Sequence, residues 1–451
     1  MEKIIIIGGV AAGAKVAAKS RRLLPDAEIE VFTDDTHVSY SACGLPYFIE
    51  GNFDDYRMLL VRSPQEFEEK GIHIHLRHRV SKINTQKHQI LVNDLSSGKE
   101  QIVNYTKLVI ATGASPIVPP IKNVQLKNVF TLRTIEDGIN LKNQVLKSKN
   151  AVIVGGGYIG IELLEAFVKQ GLNVTMVEFA PHIMSIFDNE ISELIKEQIL
   201  KIHGDKVKII NSDAVSELIG NDEVQKVITK NGLEIETDLV VLATGVRPNT
   251  EIATNAGIEL GETKAIKVNQ YMQTNIENIY ACGDCAEKTN MVSQRPTWVP
   301  LGSTANKEGR VAAINLCGGK EAFEGILGSA VTKYYGMTMS LTGLTEKQAI
   351  KDGFEAISVI TTKKDKVGYM PEAKNITIKL IADKKTRLLL GSQAIGCGDA
   401  DKRVNTVASA LVGKMTADDF MKNDLTYAPP FSTAIDPLLT ATENLIKKLN
   451  S

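Results

Sequence analysis

The sequence predicts an α/β chain made of two Rossmann-like dinucleotide-binding domains and a C-terminal α+β domain. Three observations predict it. A short apolar strand runs into a glycine-rich turn and a helix near the N-terminus, and the same design returns at residues 151–177. Beyond about residue 326 the glycine loops stop and runs rich in Val, Ile and Thr take over. A chain of 451 residues is also too long for one hydrophobic core, so several domains are expected.

The first unit is the strand Ile4-Ile5-Ile6-Ile7, the turn Gly8-Gly9-Val10-Ala11-Ala12-Gly13, the helical stretch Ala14 to Lys19 and a second strand, Ile29-Glu30-Val31-Phe32. Glycines at such a turn let the backbone bend tightly and approach a pyrophosphate, whose charge meets the free N–H groups and dipole of the helix N-terminus. Val10 stands at the middle glycine position, and Thr33 stands where an acid would bind ribose, with Asp34 beside it as the remaining carboxylate.

Next comes Ser39-Tyr40-Ser41-Ala42-Cys43-Gly44-Leu45-Pro46-Tyr47, whose cysteine has no partner in sequence until Cys282. Redox chemistry at Cys43 must therefore run on one sulfur. The strand Leu108-Val109-Ile110 ends in Ala111-Thr112-Gly113, a second approach of backbone to the same ligand.

The second unit is sharper. Ala151-Val152-Ile153-Val154 enters Gly155-Gly156-Gly157-Tyr158-Ile159-Gly160, and Glu178 follows eighteen positions beyond Gly160. An acid at that distance can accept hydrogen bonds from both ribose hydroxyls. Phe179-Ala180-Pro181 supplies no cation for a 2′-phosphate, so NADH is expected over NADPH. A further strand, Leu239 to Ala243, closes this unit at Thr244-Gly245. Residues 1–118 with 250–325 are expected to form one nucleotide domain, 119–249 the other, and 326–451 the third, where Ile376-Thr377-Ile378-Lys379-Leu380-Ile381 suggests an antiparallel sheet.

Composition excludes several classes. A net charge of -1 gives no electrostatic argument for nucleic acid or an anionic membrane. No apolar run approaches the roughly 20 residues that span a bilayer. Five scattered cysteines form no disulfide framework and no zinc-ligand spacing, and the chain starts on a strand without a charged-then-apolar leader, so a cytoplasmic protein with no metal is expected.

The Ser-x-x-x-Cys-x-Leu-Pro-Tyr run, the two nucleotide loops and Thr274-Asn275-Ile276-Glu277-Asn278-Ile279-Tyr280-Ala281-Cys282-Gly283-Asp284 together resemble the two-dinucleotide flavoprotein disulfide reductases, in particular the coenzyme A disulfide reductase group. The resemblance extends to Leu425-Thr426-Tyr427-Ala428-Pro429-Pro430. It implies FAD at Gly8, Gly9, Ala12, Gly13, Asp34, Ala111, Thr112, Gly113, Gly283 and Asp284, and NAD at Gly155, Gly157, Tyr158, Ile159, Gly160, Glu178 and Gly245. It makes 326–451 a dimerisation domain and the active unit a homodimer, with Tyr369 and Tyr427 supplied to the partner's site. Cys282 and Cys285 bracket the flavin-binding turn as packed thiols rather than as a redox pair.

The same resemblance implies coenzyme A as substrate. CoA carries a 3′-phosphate and a pyrophosphate, and the family's CoA-contact positions fall on Lys15, Lys19 and Arg22 along the first helix, on Ser39 and on Asn306. Ala42 departs from the polar residue that some relatives carry beside the cysteine. Cys43 is expected at the start of a helical turn, where the helix N-terminus and a cation lower its pKa. Hydride from NADH would pass through FAD to a Cys43–S–S–CoA mixed disulfide, and the released thiolate would attack CoA disulfide. No histidine follows His203, so the acid–base histidine of dithiol reductases is missing. Three alternatives share the scaffold: a CoA-persulfide or polysulfide reductase, an NADH oxidase or peroxidase, whose loop histidine is here Ala11, and a non-enzymatic flavin redox sensor.

Overall fold

Ile4, Ile5 and Ile6 are fully shielded from water, so both faces of their strand must be covered, the condition for a parallel sheet between helical layers. The computed structural model, which describes residues 2–451, meets it. Lys3–Ile7 pairs in parallel with Glu28–Phe32 on one side and Lys107–Ile110 on the other. Ile72–His75 extends one edge and Ile279–Ala281 the other. The connection leaves the central strand in opposite directions on its two sides, and at such a switch a cleft opens beyond the strand ends.

The second unit repeats the plan. Asn150–Val154 pairs in parallel with Asn173–Val177 and Leu239–Leu242, with Val207–Ile210 and Val129–Phe130 at the edges. Small antiparallel sheets at His78–Asn104 and Val215–Glu236 append to the two units.

From Ala330 the chain forms a five-stranded antiparallel sheet, with Asn375–Asp383 between Ala356–Lys364 and Leu389–Gly396. Helices Ala400–Val412 and Pro437–Leu449 bury Val404, Val407, Leu438 and Leu445 against Ile376, Ile378 and Leu380. On the same strand the fully buried Lys379 reaches Asp188 (3.0 Å), Glu190 (2.7 Å) and Glu346 (2.8 Å). Three carboxylates offset its desolvation, and two of them, Asp188 and Glu190, tie the second nucleotide unit to this sheet. Among the described residues no helix is long and apolar enough to cross a membrane.

Helix starts differ in how their first N–H groups are met, and Asn189–His203 and Ala400–Val412 are among those without a side-chain cap. The helices beginning after Ser63, Thr134, Thr345 and Thr416 are capped by those hydroxyls. Those that follow the two glycine loops, Ala12–Leu23 and Tyr158–Lys169, have no side-chain cap, nor has Gly302–Leu316. Their first N–H groups lack side-chain acceptors, which leaves them to an anion.

Candidate active site

A cleft of about 1520 Å³ lies at the switch point of the first sheet. Ligand pockets typically run to about 1,000 Å³, so this one has room for a dinucleotide and a second large ligand. Gly8, Gly9, Ala12, Asp34, Ala111, Thr112, Gly113, Gly283 and Asp284 all line it. Gly13 does not, and serves packing: a Cβ there would strike the Gly8 carbonyl. Gly8, at φ +100°, lies so close to the Ala111 carbonyl that no side chain fits. Thr33 is buried, and Asp34 is half-exposed with a 3.2 Å ion pair to Arg79.

Cys43, Ser39, Lys15, Arg22 and Asn306 line the same cleft. Lys19 lies on the same helix but outside the lining, so two of the three helix cations face the site. Cys43 sits in the 3₁₀ turn Ala42–Gly44, just before the short helix Leu45–Glu50. Its thiol is reachable from the cleft, yet the surrounding protein dominates its titration. Burial pushes the pKa up, and the Glu162 and Asp284 carboxylates add to this. Arg133 pulls it down but does not prevail. The expected lowering by a helix end and a cation is therefore corrected: desolvation and two anions outweigh one guanidinium.

The second loop is built for close approach. Gly155, at φ +106°, packs on the Ala243 carbonyl, and Gly160 packs on the Gly155 carbonyl. A Cβ at Gly157 would meet no atom within 4 Å, so its open face is free for a ligand. Gly245 also takes a positive φ, +94°. Glu178 follows the strand Asn173–Val177 and accepts N–H bonds from Gly156 (2.6 Å) and Ala180 (2.7 Å), which fixes its carboxylate over the loop. Ile159 and Tyr158 are half-buried, and the Tyr158 hydroxyl is shielded with no hydrogen-bond partner. Burial, then Glu162, pushes its phenol far up.

Tyr369 and Tyr427 are exposed and line no part of their own chain's cleft. Cys282 and Cys285 are fully buried, and the Cys285 thiol donates to the Ile110 and Cys282 carbonyls at 3.4 Å. They are packed thiols.

Two residues whose charges act on Cys43 escaped the sequence reading. Arg133 lines the cleft and lies 3.4 Å from Asp284; its sequence signal is the adjoining capping box of Thr134 and Asp137. Glu162, whose carboxyl burial raises to about 7, accepts a hydrogen bond from Thr332 at 3.2 Å. Nothing local in sequence announces it.

Two uncapped dinucleotide loops on paired parallel sheets, with one thiol in the first cleft, define a flavin-linked pyridine-nucleotide reductase. The chain belongs to the pyridine nucleotide-disulphide oxidoreductase family, whose model matches residues 2–309, with the family's dimerisation domain matching 329–438. It is 38% identical over 97% of both chains to the NAD(P)H coenzyme A polysulfide/persulfide reductase of Pyrococcus horikoshii. It is 29% identical to the coenzyme A disulfide reductase of Staphylococcus haemolyticus over 96% of both. The solved NAD-dependent persulfide reductase from A. fulgidus superposes with a TM-score of 0.95 at 34% identity, covering 99% of this chain and 84% of that one. The resemblance read from the sequence is thereby borne out, and the protein is an oxidoreductase using FAD and NAD(P)H. The first cleft fits FAD: Gly9, Ala12, Thr112 and Asp284 line it together at the uncapped start of Ala12–Leu23, and its volume exceeds a single small-ligand site.

Proposed function

We propose that the chain is an NADH-dependent reductase of CoA-linked disulfide sulfur, acting through Cys43 alone. The observation that carries this is one cleft holding the FAD cradle, a single accessible thiol, and Lys15, Arg22, Ser39 and Asn306. Bound FAD supplies the relay that takes two electrons from NADH to sulfur.

Lys15 and Arg22 hold the phosphates of CoA, while Ser39 and Asn306 offer hydrogen bonds beside them. The Cys43 thiolate attacks CoA disulfide, forming Cys43–S–S–CoA and expelling one CoA thiolate, which takes a proton. Two electrons and a proton then cleave the mixed disulfide, releasing the second CoA thiol and restoring the Cys43 thiolate. The sum is NADH, one proton and CoA disulfide to NAD⁺ and two CoA thiols. Arg133 stabilises the Cys43 thiolate at each return. Glu178 binds the ribose of NADH and repels a 2′-phosphate. The active unit is a homodimer in which Tyr427 and Tyr369 of one chain complete the other's site.

A second reading has its own support, since identity is higher to the persulfide reductase than to the disulfide reductase. Here Cys43 attacks the CoA-bearing sulfur of CoA persulfide, expels hydrosulfide and forms the same mixed disulfide. Anaerobic NADH oxidation is measured with CoA disulfide, CoA persulfide or a CoA-free disulfide such as cystine. Turnover with either CoA substrate and not with cystine is expected. Equal turnover with cystine, or NADH consumption only with oxygen, overturns the CoA assignment.

A further inference from the structure

Helix Gly302–Leu316 carries a fully buried carboxylate, Glu308, on the face that packs beneath the flavin cleft. Its Oε2 accepts the N–H of Gly283 at 2.7 Å. The Lys288 ammonium, equally buried, donates to the Gly283 carbonyl at 2.9 Å and the Ala286 carbonyl at 2.8 Å. It lies 3.4 Å from Glu308 Oε1. Both backbone polar groups of one glycine are thus held by side chains of opposite charge.

That glycine makes the turn. Gly283 has φ +84°, and a Cβ there would press on the Ala12 Cβ at 2.9 Å. The next residue is Asp284, whose carbonyl accepts the Trp298 indole N–H at 2.7 Å and whose carboxylate faces Arg133 in the cleft. A buried ion pair is often no better for stability than a well-packed apolar pair, and what this one adds is three hydrogen bonds to the backbone of the turn. Burial raises the Glu308 carboxyl to about 7 while Lys288 draws it down, a balance that keeps the two groups dependent on each other.

We propose that Glu308 and Lys288 are positioning residues for the flavin, clamping Gly283 from both sides so that Asp284 meets the cofactor in one fixed orientation. The pair reaches FAD only through this turn. It goes beyond the substrate assignment and rests only on FAD in the first cleft.

The test compares Glu308→Gln, Glu308→Ala and the apolar double variant Glu308→Leu with Lys288→Met, measuring the FAD dissociation constant and thermal midpoint of each apoprotein. Glu308→Gln keeps an acceptor for the Gly283 N–H and should bind FAD within about 3-fold of the parent. Glu308→Ala should weaken FAD about 10–100-fold, as for a lost hydrogen bond to a charged group. The double variant leaves no unpaired charge but orphans the Gly283 N–H and the Gly283 and Ala286 carbonyls, so its thermal midpoint should lie above that of Glu308→Ala and below the parent's, with FAD bound at least about 10-fold more weakly. Recovery of full FAD affinity in the double variant shows a merely structural pair and overturns the proposal, as does parental affinity in Glu308→Ala. Should Glu308→Ala fail to fold, the double variant decides alone.

Discussion

At the scale of single residues, the Cys43 thiol is held back by its surroundings, and the charges responsible can be named. Burial comes first, then Glu162 and Asp284, with Arg133 opposing. Glu162 itself titrates at about 7, so its negative charge acts on Cys43 only above that pH. Replacing Glu162 with Gln removes this charge and lowers the Cys43 pKa. Alkylation of Cys43 by iodoacetamide should therefore quicken several-fold at pH 8 and hardly change at pH 6, where Glu162 is already protonated. An equal change at both pH values would show that Glu162 acts by packing. The sulfur's own role has a separate test. Cys43→Ser should abolish reduction of CoA disulfide or persulfide while the flavin is still bleached by NADH in stopped flow, because the sulfur acts after hydride transfer. Loss of bleaching would place Cys43 in the first half-reaction instead.

At the scale of elements, the two strand–turn–helix units were legible because their signals are local. A glycine that must take φ +100° or +106° has no substitute, so Gly8 and Gly155 disclose the turn in sequence. The C-terminal sheet was legible for the same reason, through the β-branched run of Ile376 to Ile381. Arg133 and Glu162 were not, since each gains meaning only from partners far along the chain, Asp284 and Thr332; nor were Lys288 and Glu308, which gain theirs only once the turn at Gly283 is folded between them. The second loop allows its own parts to be separated. Gly160→Ala places a methyl against the Gly155 carbonyl and should destabilise the protein by about 1–3 kcal/mol in chemical denaturation. Gly157→Ala meets open space and should leave stability within about 0.5 kcal/mol, yet raise KM for NADH, because the methyl projects where a pyrophosphate approaches. Glu178→Arg should move kcat/KM toward NADPH, with the exposed Phe179 limiting the gain; unchanged preference would remove Glu178 from the ribose site.

At the scale of the whole molecule, the third domain contributes no nucleotide loop, yet it is anchored to the second unit through Lys379 and the Asp188 and Glu190 carboxylates. An isolated accessory domain has no need of such a tie, whereas a domain that must hold a reaching side chain in register with an active site does. Tyr427 stands 49% exposed beside Phe431 and Ile435, at 71% and 60%, an apolar segment with no cover in its own chain. A symmetric dimer would cover two such segments at once and build two equivalent sites. If Tyr427 serves the partner's Cys43, then Cys43→Ser and Tyr427→Phe chains, each inactive alone, should regain activity when mixed. In the heterodimer one site combines native Cys43 with native Tyr427 and the other has neither. Random exchange of an equal mixture makes half the dimers mixed, each with one working site, so about a quarter of the parental activity per chain is expected. The mixture is assayed with CoA disulfide after exchange has been followed by native mass spectrometry. Heterodimers that form, retain FAD and stay inactive would place Tyr427 and Cys43 in separate roles, and a fully active Tyr427→Phe protein would make the phenol an interface contact only.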